Sequence, residues 1–267
     1  MQRCLRQDVQ CDDSINLRSA VCDAKRSMMR AVNSPIDTQR IRRRIRSFVV
    51  RAGRMTAGQE RAWRELWPQY GVNFKQAPLD FDAIFARQAP RVLEIGFGTG
   101  DALLAYAQLH PDRDCLGIEV HPPGVGHLMI SASESSTANV RIVCYDAVEV
   151  LTLGAPDKSF DEIHIFFPDP WHKKRHHKRR LIQPEFLDVL ARVLKPGGLL
   201  KMATDWDHYA QQMLTLMTEH PAFDNAAGPE SISGFSARAE HRPLTRFEKR
   251  GHRLGHGVWD LTHRRKA

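Results

Sequence analysis

A short apolar stretch that ends in closely spaced glycines places the strongest constraint on the fold of this chain. Residues 91–95, Arg-Val-Leu-Glu-Ile, have the length and composition of a buried strand, and Gly96, Gly98 and Gly100 follow at alternate positions. Residues 101–107, Asp-Ala-Leu-Leu-Ala-Tyr-Ala, then favour a helix. Glycine allows a sharp turn and leaves no side chain between the loop and a ligand. The three parts together predict a nucleotide-binding corner.

The glycine spacing and two acids distinguish this corner from a dinucleotide site. A dinucleotide-binding loop has the pattern Gly-x-Gly-x-x-Gly, whereas this chain has Gly-x-Gly-x-Gly followed by Asp101. Glu94 precedes the first glycine, where a carboxylate suits a ligand with a cationic end, such as S-adenosylmethionine. Glu119 ends the next apolar run, at a spacing typical of an acid that binds ribose hydroxyls. An ordinary tight turn is the alternative for the glycines alone, but the whole pattern resembles the class I methyltransferases.

Strand-like and helix-like segments alternate downstream of this corner. We predict strands at 91–95, 115–119, 140–144, 160–167 and 198–203, with helices near 101–109, 124–136 and 184–194. This alternation predicts an α/β fold with a mostly parallel sheet and helices on both faces, which is the Rossmann-like fold of the class I methyltransferases. Ligands bind at the carboxyl ends of parallel strands. The acids expected at those ends are Glu94, Glu119, Asp146, Asp169 and Asp205.

Composition restricts the partners and the environment of the protein. The 267 residues contain 39 lysines and arginines against 31 acids, and the net charge of +8 favours an anionic partner. Five cysteines form no metal-ligand spacing, so we expect no metal site. Because the cysteines suggest no disulfide framework and the N-terminus has no apolar signal core, we expect a cytoplasmic protein without a membrane segment.

Three regions are expected along the chain. Residues 1–38 are polar and aperiodic, and we interpret them as a disordered extension in which Met28 or Met29 is a candidate start. Residues 39–90 begin with a basic arm, which is either a phosphate-binding segment or a solvated face. A capping box at Thr56–Gln59 then starts a helix whose tryptophans are expected to pack on the main domain. Residues 91–267 form that domain.

Residues 166–180, Phe-Phe-Pro-Asp-Pro-Trp-His-Lys-Lys-Arg-His-His-Lys-Arg-Arg, form the most informative segment. Pro168 and Pro170 restrict the backbone around Asp169, and Trp171 precedes a dense run of cations. The alternative interpretation of this segment is a purely structural one, a proline turn followed by the basic end of a helix. The motif Pro-Asp-Pro-Trp-x-Lys-x-Arg-His-x-Lys-Arg-Arg is similar to the bacterial tRNA (guanine-N7-)-methyltransferases, as are residues 242–248 and 251–260. The resemblance covers roughly residues 40–262.

This resemblance implies an activity and a set of site residues. The expected reaction transfers a methyl group from S-adenosylmethionine to N7 of the guanosine at position 46 in the variable loop of tRNA, in a monomeric enzyme. The implied cofactor contacts are Glu94, Gly96, Gly98, Gly100, Glu119 and Asp146, with Asp169 at the reaction centre. The implied substrate pocket consists of Lys173, Asp205, Thr245, Arg246, Phe247 and Glu248. The implied RNA contacts are Lys174, Arg175, His176, His177, Lys178, Arg179 and Arg180.

Two other functions are compatible with parts of the pattern. A noncatalytic RNA-binding protein with a degenerate methyltransferase fold would explain the cations, but the intact glycines and the strand-end acids argue against it. A small-molecule methyltransferase would explain the cofactor corner and leave the cations without a role. An assay of methyl transfer with radiolabelled cofactor distinguishes the enzyme from the noncatalytic RNA-binding protein.

Overall fold

A seven-stranded sheet organises the part of the chain that the computed structural model describes, which is residues 46–49, 53–228, 231, 233–238, 242 and 257–267. Its strands are β1 (Arg91–Ile95), β2 (Asp114–Ile118), β3 (Val140–Val143), β4 (Phe160–Phe166), β5 (Leu194–Thr204), β6 (Phe223–Asn225) and β7 (Trp259–Arg265). Their order is β3-β2-β1-β4-β5-β7-β6. Strands β1 to β5 pair in parallel, and β7 runs antiparallel between β5 and β6.

Helices cover both faces of this sheet. They are α1 (Ala57–Glu65), α2 (Trp67–Tyr70), α3 (Phe81–Phe85), α4 (Asp101–Leu109), α5 (Pro122–Glu134), α6 (Ala147–Leu153), α7 (Pro184–Val193) and α8 (Asp207–Glu219), with a 3₁₀ helix at Lys174–Arg179. One apolar core joins α1, α2, α4 and α5 to one face, and a second joins α3, α6, α7 and α8 to the other. The predicted α/β fold with a mostly parallel sheet is confirmed.

The observed strands agree closely with the predicted ones, apart from the region around β5. This strand begins at Leu194 rather than at residue 198, because Leu194 pairs with Phe160 before the ladder is interrupted. Regular pairing resumes where Leu199 meets Glu162. The sequence analysis did not predict the antiparallel strands β6 and β7. Strand β7 places the C-terminal residues 259–265 directly beside β5.

The helical segment before β1 attaches to the sheet and to α5. The predicted capping box is present, since Thr56 N donates to Gln59 Oε1 at 2.9 Å and Gln59 N donates to Thr56 Oγ1 at 3.2 Å. The indoles of Trp63 and Trp67 stack with 4.5 Å between ring centroids and pack against the core, as predicted. Val72 N donates to Ile142 O, which joins the segment to the edge of β3. None of the described helices has the length and apolar character needed to span a bilayer.

Candidate active site

The three glycines after β1 have different roles although they share a backbone conformation. Their φ angles of +72°, +60° and +85° all lie in the left-handed region that favours glycine. A Cβ added at Gly96 or Gly98 would meet no atom of the described residues within 4 Å, so these residues leave open space above the two positions. A Cβ at Gly100 would lie 2.8 Å from the side chain of Leu128. Gly96 and Gly98 therefore leave room for a ligand, whereas Gly100 allows α5 to pack closely.

A fourth glycine, which the sequence analysis missed, supports this loop from α5. A Cβ at Gly124 would lie 2.0 Å from the carbonyl oxygen of Gly98. The start of α5 is held in place by α1, because Trp63 Nε1 donates to Pro122 O at 3.1 Å and Gln59 Nε2 donates to Pro123 O at 3.0 Å. The conformation of the glycine loop thus depends on a helix that precedes the whole sheet. A glycine directly after Pro122-Pro123 at a helix start was the available signal.

Glu94 lies buried at the carboxyl end of β1, with 3% of its surface exposed. Burial, followed by the nearby Glu119 carboxylate, raises the pKa of Glu94 to about 8, although Arg242 acts in the opposite direction. Among the described residues, its Oε2 atom has no hydrogen-bond partner. A buried acceptor without a partner is costly unless a ligand supplies a donor. This carboxyl group beside an open glycine loop fits the cationic end of S-adenosylmethionine.

The acids that follow β2 and β3 are fixed by backbone donors. The Glu119 carboxylate accepts hydrogen bonds from Gly98 N at 2.8 Å, Val120 N at 2.6 Å and His121 N at 3.0 Å. Asp146 caps α6, where its Oδ1 accepts from Val148 N at 2.9 Å. Both carboxylates therefore have a fixed orientation at the same edge of the sheet as Glu94. As acceptors, these carboxylates suit the ribose hydroxyls and the adenine amino group of the cofactor that the resemblance implies.

The loop after β4 presents Asp169 at this edge on a strained backbone. Phe167 and Trp171 on either side of the Pro-Asp-Pro sequence have φ angles of +53° and +45°. Such angles cost on the order of 1–3 kcal/mol for a residue other than glycine and persist only when neighbours hold them. Trp171 Nε1 donates to Ser47 O at 2.9 Å. The surroundings therefore fix the bends that flank the exposed Asp169.

The segment after β5 meets this loop from the neighbouring strand. Asp205 directly follows β5 and is half-buried. The next residue, Trp206, packs edge to face on His172, with 4.2 Å between the ring centroids. Lys173, the other predicted pocket residue in the described ranges, is exposed beside this contact. The fold therefore brings the segments of Asp169, Lys173 and Asp205 together, whereas the predicted residues Thr245, Arg246, Phe247 and Glu248 lie outside the described residues.

Arg242 is a buried cation of this region to which the sequence analysis assigned no role. Its Nη2 atom lies 3.1 and 3.0 Å from the two carboxylate oxygens of Asp260 on β7. Its guanidinium also lies 5.4 Å from the ring centroid of Phe166 and 5.1 Å from that of Phe167. The arginine therefore supports the end of β4, and its charge opposes the rise in the pKa of Glu94. Its place in the C-terminal part of the resemblance was the available signal.

The cationic run forms a one-sided surface beside Asp169. Lys174, Arg175 and Lys178 are exposed on the 3₁₀ helix, whereas Arg179 lies with its guanidinium 4.3 Å from the Trp171 ring centroid. Partial burial and the neighbouring arginines lower the pKa of His176. In His177, partial burial and Arg180 likewise lower the pKa. Both imidazoles therefore favour the neutral form and add hydrogen-bonding capacity to the cationic surface.

Arg180 differs from its predicted role as an RNA contact, because only 2% of its surface is exposed. Its Nε donates to Pro170 O at 2.8 Å, and its Nη1 donates to Gln212 Oε1 and to His208 Nδ1. The guanidinium also lies 4.7 Å from the ring centroid of Tyr209. These contacts direct the side chain into the protein rather than toward a bound RNA. No group of histidine, cysteine or acidic side chains within the described ranges could hold a metal ion.

Comparisons with known proteins agree with this geometry. A family model described as "Putative methyltransferase" matches residues 88–261. The chain is 49% identical over 231 residues to the tRNA (guanine-N(7)-)-methyltransferase of Alcanivorax borkumensis, covering 86% of this chain and 95% of the relative. It is 48% identical over 255 residues to the protein of that name from Cupriavidus pinatubonensis, covering 96% and 98%.

Among solved structures, the 16S rRNA methyltransferase KamB has a similar fold. The TM-score is 0.52 at 16% sequence identity, over 74% of this chain and 99% of that one. The fold therefore agrees with that of a methyltransferase, and the sequence matches define the group within it. The chain belongs to the tRNA (guanine-N(7)-)-methyltransferase family.

Proposed function

We propose that this protein transfers a methyl group from S-adenosylmethionine to N7 of the guanosine at position 46 in the variable loop of tRNA. One observation carries the proposal for this chain. Asp169 lies at the carboxyl edge of the sheet and leads directly into an exposed cationic surface, in a chain about half identical to proteins named for this activity. A small-molecule methyltransferase would have no use for such a surface.

The cofactor would lie across the carboxyl ends of β1, β2 and β3. When bound, S-adenosylmethionine supplies an electrophilic methyl group on a positively charged sulfur. Glu94 would bind the cationic end, Glu119 the ribose hydroxyls and Asp146 the adenine amino group. Gly96 and Gly98 would form the floor of the site, and Gly100 would complete the loop where α5 packs against it. Two observations on the described residues support this arrangement: the open space at Gly96 and Gly98, and the lack of a hydrogen-bond partner for Glu94 Oε2.

Asp169 would act through its charge rather than as a base. Guanine N7 carries a lone pair and no proton, so the attacking atom needs no deprotonation. Positive charge develops on the guanine ring as the new bond forms, and a fixed carboxylate beside the ring stabilises that charge. The prolines and the strained residues on either side hold Asp169 in place before the substrate arrives. Correct placement of the reacting atoms supplies the rest of the acceleration.

The RNA would lie along the exposed cations that follow Asp169. Lys174, Arg175 and Lys178 would contact phosphates, and Lys173 with Asp205 would line the pocket for the guanine. Because a stacked base is hard to reach, the target nucleotide would be turned out of its stack into this pocket. A single chain carries all of these groups, so we infer a monomer that works where tRNA is found, in the cytoplasm. Sedimentation of the purified protein tests the oligomeric state.

Mapping of methylated nucleotides tests the proposed function directly. Unmodified total tRNA incubated with the protein and labelled cofactor is expected to gain N7-methylguanosine at position 46. Binding of tRNA without methyl transfer would contradict the proposal and favour the noncatalytic alternative. Methylation at another atom or position would contradict the proposed target.

Asp169→Asn tests the role of the carboxylate once the product is known. The variant keeps the size of the side chain, so tRNA and cofactor affinities should remain close to parental. Its single-turnover rate should fall by about a hundredfold or more, the usual effect of losing one fixed electrostatic partner. Asp112→Asn, at an exposed position in the turn before β2, is the matched control and should react at the parental rate. An Asp169→Asn protein as fast as the control would refute this role.

A further inference from the structure

We infer that Arg180 is a positioning residue that clamps the loop carrying Asp169 onto helix α8, and that methyl transfer depends on this clamp. The inference rests on the proposed function, since it concerns the reaction centre of that activity. It also separates Arg180 from the exposed cations that precede it in the sequence. Their side chains face solvent, whereas Arg180 is buried.

The contacts of Arg180 close the loop at its base. Its Nε atom donates to the carbonyl oxygen of Pro170, the residue directly after Asp169, at 2.8 Å. The loop is thereby tied between Pro170 and Arg180, and the cationic 3₁₀ helix forms its outer part. A restraint next to Asp169 limits the positions that its carboxylate can adopt. This geometry suits a group that must be fixed before the substrate binds.

The other end of the guanidinium is anchored in the first turns of α8. Nη1 donates to Gln212 Oε1 and, at 3.1 Å, to His208 Nδ1, while the guanidinium covers the ring of Tyr209. Helix α8 starts just after Asp205 and Trp206, which belong to the proposed guanine pocket. Arg180 therefore connects the two sides of the reaction centre, the loop after β4 and the segment after β5. Its length and fork of donors allow it to hold both at once.

Electrostatics indicate that this arginine is not placed for stability alone. Within the described residues, no ion pair joins it to a carboxylate, and its Nη2 atom is buried without a hydrogen-bond partner. Its anchors lie in the N-terminal half of α8, and a helix N-terminus repels a cation. Burial of a charge without a counter-charge is costly. Such a residue is readily explained if the geometry that it enforces is needed for the reaction.

The test compares Arg180→Met with Lys178→Met, which removes an exposed cation from the same segment. For Arg180→Met we expect a single-turnover rate at saturating tRNA and cofactor about 10–100-fold below the parent, the effect of a small displacement at a reaction centre. The salt dependence of its tRNA affinity should equal that of the parent. For Lys178→Met, the slope of log affinity against log salt should decrease by about 0.7–0.9, as for one lost phosphate contact.

Conservative variants separate positioning from charge and from folding. Arg180→Lys keeps the charge and should retain most of the defect, because an ammonium group lacks the fork that reaches both anchors. Gln212→Met removes one anchor and should lower the rate, whereas Gln211→Met, exposed one position earlier on the helix, should not. If Arg180→Met does not fold, these variants decide the matter. A Gln212→Met protein with the parental rate would then overturn the inference.

Two further outcomes would also overturn the inference. One is a parental rate in folded Arg180→Met, and the other is a salt slope reduced as in Lys178→Met, which would make Arg180 a phosphate contact. Hydrogen exchange of residues 168–180 tests the clamp without any methyl transfer, since loss of the anchors should speed exchange in this loop alone. If the variants exchange faster but the unsubstituted protein does not methylate tRNA, the clamp stands and the proposed function is refuted. Unchanged exchange would refute the clamp.

Discussion

Replacement of Glu94 by glutamine should abolish a dependence of cofactor binding on pH that the parent protein possesses. Glu94 is buried beside Glu119, and its pKa of about 8 means that the free protein holds a proton there at neutral pH. A cationic ligand group requires the ionised form, so binding should release this proton. Glutamine keeps the size of the side chain and has neither a proton to release nor a charge to offer.

The size of the effect follows from the pKa. At pH 7, a group with a pKa of about 8 is ionised in roughly one molecule in ten, so the apparent affinity should be about tenfold below its value at high pH. Cofactor affinity should thus approach its maximum above pH 8. Below pH 8 it should fall by up to tenfold per unit of pH, until the carboxylate is protonated in the complex as well. Affinity should therefore fall as the pH falls. A histidine that binds an anion would show the opposite dependence, because its protonation strengthens binding.

Calorimetry between pH 6 and 9 in two buffers of different ionisation enthalpy measures both the affinity and the number of protons released. The parent should release nearly one proton at pH 7, and Glu94→Gln none. The variant should bind more weakly at pH 9 and show a flat profile, while the exposed Glu185→Gln should behave as the parent. A parent whose affinity is independent of pH over this range would refute the reasoning, because Glu94 would then be ionised before the cofactor arrives.

The same group should affect the stability of the free protein. An acid whose pKa is higher in the folded state stabilises that state below its ordinary pKa, and the contribution is lost as the pH rises through the folded value. A rise from 4.5 to about 8 corresponds to on the order of 5 kcal/mol. The free parent should therefore become less stable between these values, and Glu94→Gln should not. Denaturant titrations of both proteins provide this check.

Two further predictions concern groups outside the reaction centre. Gly124→Ala should weaken cofactor binding about tenfold in a folded protein, since its Cβ would lie 2.0 Å from Gly98 O and displace the glycine loop; parental affinity by calorimetry would contradict this. In buried His263, both ring nitrogens lack partners among the described residues, and burial lowers its pKa to about 4. Its neutral form therefore stabilises the protein fully above pH 6.5, and about 3 kcal/mol should be lost as the pH falls to 4. His263→Phe should flatten this part of the denaturation profile, and an unchanged profile would contradict the assignment.

The sequence predicted the parts of the fold that local signals encode. The strands from β1 to β4 and the helix 101–109 follow from apolar runs and glycine turns. The spacing of apolar residues within one segment is enough to indicate a strand or a helix, without knowledge of its distant contacts. The acids at strand ends could be placed at one edge, since parallel strands share a direction. The capping box at Thr56 was also predictable from local sequence, because both of its hydrogen bonds join residues that are three positions apart.

The sequence could not predict contacts that depend on distant segments. Arg180 ends a run of cations and has the same composition around it as its exposed neighbours, yet helix α8 covers it. The contact of Gly124 with Gly98 arises only when α5 crosses the glycine loop. Arg242 acquires its partner only when β7 inserts beside β5. In each case the local sequence permits several environments, and packing selects one.

Several energetically costly features of this structure lie at one edge of the sheet. Away from this edge, two buried carboxylates have cationic or imidazole partners: Asp114 pairs with Arg87 at 2.6 Å, and Glu162 pairs with His164 at 2.6 Å and with Lys201. At the carboxyl edge, and within the described residues, one Glu94 oxygen has no hydrogen-bond partner and Arg180 has no counter-charge, while the loop around Asp169 has two left-handed residues. Selection for stability alone would remove such features, since each has a simple apolar or glycine replacement. Their shared location is expected if a cationic cofactor and an anionic substrate supply the missing interactions. At this edge, residues that are needed for function therefore lower the stability of the free protein.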